Sequence, residues 1–223
     1  MQNLIEIEEG VYGVPLILAP SLERERKDFE EILLAAQRRL RNFAIQNDWT
    51  KHVKKSFMNH AEIYDDKNMF DRELLKLSGA EPSVKLPKTY SAALEQNKFI
   101  SVSPELYGQN YPDGIEDKSF EKLITHEMAH RLHIRILNKN EDAMGPIWFF
   151  EGFAIYACGQ FENYHPKMEF SEILEIIKNP NRGSYKKYSI VFRYFLQKTS
   201  IHELIEHAGD NDFLKWLQDI ARR

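Results

Sequence analysis

Apolar residues recur at Phe29, Ile32, Leu33, Ala36, Leu40 and Phe43, a spacing near 3.6 that predicts one long amphipathic helix to about Gln46. Pro20 stops the apolar stretch "VYGVPLILA" before it, which reads as a strand, and Ser21 can then cap the helix. "VKKSFMNHAEIY" alternates loosely and predicts a strand ending near Tyr64. "DKNMFDRELLKLSG" reads as a short helix stopped by Gly79, and residues 80–96, with Pro82 and Pro87, read as loop. "KFISVS" is the cleanest strand signal, apolar and β-branched between Asn97 and Pro104. A turn-rich connector, "YGQNYPDGIED", then leads into an apolar, helix-forming run.

Beyond that run the pattern is helical to the end. "PIWFFEGFAIYAC" has Pro146 at a favourable start and Gly159 just past its end. "FSEILEIIKNP", "YKKYSIVFRYFLQKTS", "SIHELIEHAG" and "DNDFLKWLQDIARR" follow as further helices. Ser200 with Glu203 spells a capping box, Gly209 a stop, and Asp210 the start of the last helix. Strands before about 104 and helices after 117 predict an α+β fold. A mixed or antiparallel sheet lobe over residues 1–117 would precede a helical lobe over 118–223, with the active-site cleft between them.

Composition narrows the class. The 223 residues carry 30 basic and 34 acidic side chains, well interspersed, and a net charge of −4 that gives no attraction to nucleic acid or anionic lipid. One cysteine, Cys158, excludes an intrachain disulfide. The acids at 6, 8 and 9 do not fit a signal peptide, and the apolar runs are short of the ~20 residues a membrane span needs. A cytoplasmic protein with no nucleic-acid or membrane partner is the expectation.

Chemistry concentrates in "LITHEMAHRLHIRIL". On a helix His126 and His130 share one face about 6 Å apart, close enough for two imidazoles to grip one zinc ion. Glu127, rotated off that line, could take a proton from an activated water without being a ligand. In "WFFEGFA" an acid, Glu151, stands among Trp148, Phe149, Phe150, Phe153 and Ile155. Burying it there requires a partner, and a divalent cation is one. Two histidines and one glutamate would leave a fourth zinc position open, as in catalytic rather than structural sites.

His126-Glu127-Met128-Ala129-His130 followed by Trp148-Phe149-Phe150-Glu151-Gly152-Phe153-Ala154 resembles the gluzincin metallopeptidases, in particular their aminopeptidase branch and the peptidase MA-like domains. Tyr156 matches a common tyrosine there, and "YKKYSIVFRYF" is similar to a helix that supplies a phenol to the transition state. The resemblance runs from about 120 to 195. It implies His126, His130 and Glu151 as Zn2+ ligands, Glu127 as general base, Tyr185 as the phenol and Lys187 as the matching lysine. Tyr188 stands where the family has glycine and is a second candidate phenol. The stretch with which aminopeptidases hold a free amine is missing, so exopeptidase action is not implied. Ile155 replaces an aspartate that orients a ligand histidine in some members, so another group must do this.

The reading is therefore a zinc peptidase acting through Glu127, with a peptide or protein substrate held by main-chain bonds along an exposed edge strand near 98–103. The alternatives are an inactive zinc-stabilised peptide-binding or regulatory domain, and a metal-free helical interaction protein. His133 lies about 10 Å along the axis from His126, too far to share its ion, and reads as structural. His202 and His207 are spaced by five and fall on different faces, His52, His60 and His165 have no ligand-like neighbours, and Cys158 reads as a small buried apolar residue.

Overall fold

The computed structural model describes residues 4–222. The chain divides into two compact units after Met128. The division falls within a single continuous helix.

The first unit opens with an antiparallel hairpin of β1 (Ile5–Glu8) and β2 (Val11–Gly13). A four-stranded sheet follows, built from β3 (Leu16–Leu18), β4 (His60–Tyr64), β5 (Ala92–Glu95) and β6 (Lys98–Val102) in the order β3-β4-β6-β5. β3, β4 and β6 run parallel, and β5 pairs antiparallel with β6. The helices are α1 (Arg26–Gln46), α2 (Lys67–Ser78), α3 (Pro104–Asn110) and α4 (Ser119–Ile136), the last of which crosses the division. Of the apolar stripe, Phe29, Leu33, Ala36, Leu40 and Phe43 of α1 are buried and Ile32 is half-buried; Ala61 and Ile63 of β4 and Phe99, Ile100 and Val102 of β6 are buried as well. Asp66 caps α2 by accepting from the Met69 N–H, and Gly79 ends it at φ 68, a left-handed conformation that glycine adopts without strain.

Several expectations for this unit are corrected. The segment near 98–103 is not an edge strand: β6 has β4 on one side and β5 on the other, and Phe99 to Val102 are buried on both faces, as an interior strand requires. Residues 80–96 are not all loop, since β5 lies within them. Its turn, Gln96-Asn97, has both residues at positive φ (50 and 61), the geometry of a two-residue hairpin loop. "VYGVPLILA" is two strands in two sheets, parted at Pro15. Ser21 caps nothing; it lies in a 3-10 turn over Pro20–Glu25 and its hydroxyl bonds Asp65. The connector holds α3, with Ser103 as its cap.

The second unit continues from α4 into α5 (Ile147–Cys158), α6 (Phe170–Lys178), α7 (Tyr185–Leu196), α8 (Ile201–His207) and α9 (Phe213–Ala221). Its core is aromatic: Trp148, Phe149, Phe153, Phe192, Phe195 and Phe213 are buried in mutual ring contact. A Cβ at Gly152 would stand 3.0–3.3 Å from the Phe192 ring, so the glycine is what lets α5 and α7 pack this closely. Ser200 and Glu203 form the expected capping box. Gly209 has a different role from a helix stop. α8 ends at right-handed Ala208, and Gly209 makes room for Ala143, whose Cα would lie 2.8 Å from an added Cβ. The last helix starts at Phe213, behind Asp212 rather than Asp210. Among the described residues no helix is long and apolar enough to cross a membrane.

Candidate metal centre

Two helices carry the cluster. α4 presents His126, buried at 3% exposure, and His130, half-buried one turn on, with half-buried Glu127 beside them. α5 begins after Gly145 and Pro146 and places Glu151 at its middle, 2% exposed. His126, His130 and Glu151 each offer a ligand atom, and these atoms all lie within 4.8 Å of one another. His130 Nε2 is 3.6 Å from Glu151 Oε2. Two ligands held ~2.1 Å from a tetrahedral ion stand about 3.4 Å apart. The His130–Glu151 pair is therefore already near coordinating separation, and small side-chain adjustments would close the set. A buried carboxylate facing two imidazoles is a donor set that suits a divalent transition ion. The group could hold a metal ion.

Around Glu151 the structure adds a residue that the sequence did not single out. Arg182, in the turn before α7, donates from Nη1 to Glu151 Oε1 and to the Tyr185 hydroxyl at 2.6 Å. That turn is pinned by Tyr188, whose hydroxyl accepts from the Gly183 N–H and donates to the Asn181 carbonyl at 3.3 Å. Burial pushes the Tyr188 phenol above its ordinary pKa, against the Gly183 N–H and the Arg182 charge, which lower it. The two candidate phenols thus part company: Tyr188 serves the backbone on either side of Arg182, while half-buried Tyr185 joins the chain that leads to Glu151. Lys187 lies elsewhere, in an exposed pair with Glu172 at 2.9 Å. Arg182 left one sequence signal: an acid among aromatics needs a positive neighbour, and that neighbour is neither a surface lysine nor at an exposed helix edge, since Glu151 is buried and meets Arg182.

Of the other histidines, His60 has a carboxylate neighbour that was not expected, its Nε2 3.4 Å from Glu62. His133 is fully buried, its ring 4.5 Å from Phe153 and 5.9 Å from Phe149, and neither ring nitrogen has a hydrogen-bond partner. Burial, and then the neighbouring His130, push its pKa down to about 3. His207 pairs with Asp210 at 2.9 Å and packs on Trp216. Cys158 is buried and its thiol donates to the Ile155 carbonyl. Compared with protein-family models, with curated proteins and with solved structures, the chain matches none.

Proposed function

We propose that the chain is a zinc-dependent peptidase of the gluzincin kind. The observation that supports this is the convergence of His126, His130 and Glu151 with Glu127 on the same helix as the two histidines. His126, His130 and Glu151 would hold the ion, which supplies Lewis acidity and a water that ionises near neutral pH. Glu127 takes the proton of the attacking water and returns it to the leaving nitrogen. The Tyr185 hydroxyl, oriented by Arg182, donates to the oxyanion that develops on the scissile carbonyl. A peptide or protein substrate is the partner that this chemistry implies.

The test pairs metal analysis with turnover. Purified protein should carry one zinc per chain and the Glu151→Ala variant none. Glu127→Gln should keep the zinc and lose cleavage of a peptide mixture by about 100-fold or more. Stoichiometric zinc with no cleavage by the unaltered protein would leave the zinc-stabilised binding domain as the reading. Full cleavage by Glu127→Gln would remove Glu127 as base.

A further inference from the structure

The two oxygens of Glu151 face different groups. Oε2 is turned to His130 Nε2, and Oε1 accepts from the Arg182 guanidinium. A carboxylate 2% exposed beside Trp148, Phe149 and Phe153 needs a positive neighbour even in a chain that has bound nothing. Arg182 is suited to this. Its charge is permanent, its backbone is pinned by Tyr188 at both neighbouring residues, and its side chain keeps 40% exposure, so it sacrifices little hydration.

We infer that Arg182 is a built-in counter-cation for Glu151: it holds the ligand carboxylate in place in the empty protein and competes with the metal for the same negative charge. The inference rests on the metal-holding reading of the centre and not on peptidase activity. Two cations sharing one buried carboxylate are not additive, because the acid's loss of hydration can be relieved only once. Metal affinity is the difference between the loaded and the empty protein, and Arg182 stabilises the empty one more. It also repels a divalent ion directly. Removing its charge therefore tightens metal binding and destabilises the metal-free fold.

The experiment uses chelator-stripped full-length protein. Zn2+ is titrated against a competing chelator, and melting temperatures are read with and without zinc. Arg182→Met should bind zinc about tenfold or more tightly than the unaltered protein. Its metal-free melting temperature should fall, and zinc should raise it by more than in the unaltered protein. Arg182→Lys, which keeps the charge, should stay near the unaltered affinity. Should Arg182→Met not fold without zinc, the double variant Glu151→Gln/Arg182→Met, which removes acid and cation together, should fold and melt near the unaltered metal-free protein. Equal or weaker zinc binding by Arg182→Met overturns the inference, as does a double variant that recovers no stability. Zinc binding by no variant at all ends the metal-holding reading along with it.

Discussion

Each unit withdraws a carboxylate from water and answers it with a cation and a tyrosine, yet the two arrangements close differently. In the first, Glu62 of β4 meets Lys98 Nζ at 2.7 Å, accepts from the Tyr64 hydroxyl and has His60 Nε2 at 3.4 Å. Lys98 also reaches Glu73 of α2 at 2.7 Å, so one ammonium sits between two acids. In the second, Arg182 takes one oxygen of Glu151 and the other faces His130 rather than a second acid. Among the described residues, the ligand atoms that gather at one point are those of the second arrangement. The cation's place in the first is filled by a lysine that neutralises and crosslinks. In the second, imidazoles stand opposite the carboxylate, and they can share an incoming ion.

Replacing the lysine gives the largest expected effect. Lys98→Met leaves Glu62 and Glu73 without their shared cation and should cost about 3 kcal/mol, read by urea unfolding. Zinc should restore none of it, whereas zinc should restore Arg182→Met; equal rescue of both variants would erase the contrast between the two arrangements. Acid sharpens it further. Burial alone would raise Glu62, but hydrogen bonds from Lys98 and Tyr64 outweigh it and hold the carboxyl below its ordinary 4.5. Its contribution is therefore complete above about pH 4.5 and is lost as the pH falls below that.

Next in size is Gly152→Ala. The added methyl would press on Phe192 at 3.0–3.3 Å and should cost about 2 kcal/mol as overpacking, measured by thermal melting. Amide exchange should speed in α5 and α7 and not in the sheet strands. Loss of protection in β4 and β6 as well would mean that the two regions are not energetically separate.

Much of this architecture was legible because it depends on local patterns. The α1 stripe, Gly79 as a left-handed stop, and the Ser200–Glu203 box each speak through neighbouring residues, and the His126–His130 spacing needs only a helix to take effect. The strand pairing of β5 was not legible: "AALE" carries helix formers, and its hairpin turn is Gln-Asn with no glycine to mark it. Missing β5 made β6 an edge. Arg182 was missed for a related reason. It lies 31 residues from Glu151, in a turn held where the Tyr188 hydroxyl accepts from the Gly183 N–H, a contact that no residue pattern announces. The choice between Tyr185 and Tyr188 depends on that same turn.

His133 extends the comparison to a buried polar group with no hydrogen-bond partner on either ring nitrogen. His133→Leu fills the same aromatic pocket without polar atoms and should stabilise the chain by about 1–2 kcal/mol at neutral pH. The pH dependence distinguishes it from the carboxylates. Because the folded imidazole's pKa is pushed down to about 3 from an ordinary 6.5, the unfolded chain binds the extra proton between those values. Stability thus falls as the pH drops through that window, by up to about 1.4 kcal/mol per pH unit from this one group. The difference between unaltered protein and His133→Leu should accordingly widen between pH 6.5 and 5, above the range where Glu62 acts. A constant difference across that range would mean that the imidazole finds a partner in solution.

The smallest effect tests how Arg182 is held. Tyr188→Phe keeps the buried ring and deletes only the hydroxyl, which accepts from Gly183 and donates to Asn181. Two hydrogen bonds at the edge of the core should cost about 1 kcal/mol on thermal melting. If the hydroxyl acts by fixing the turn, the loosened guanidinium competes less well for Glu151, and zinc affinity should rise in the same direction as in Arg182→Met, but by less. A catalytic phenol at 188 would give the opposite pattern, with unchanged zinc affinity and stability and a collapse in turnover. Tyr185→Phe should instead collapse turnover and, because its hydroxyl accepts from the Arg182 guanidinium, also shift zinc affinity in the direction of Arg182→Met. The paired variants therefore separate the residue that positions the counter-cation from the one that works beside it.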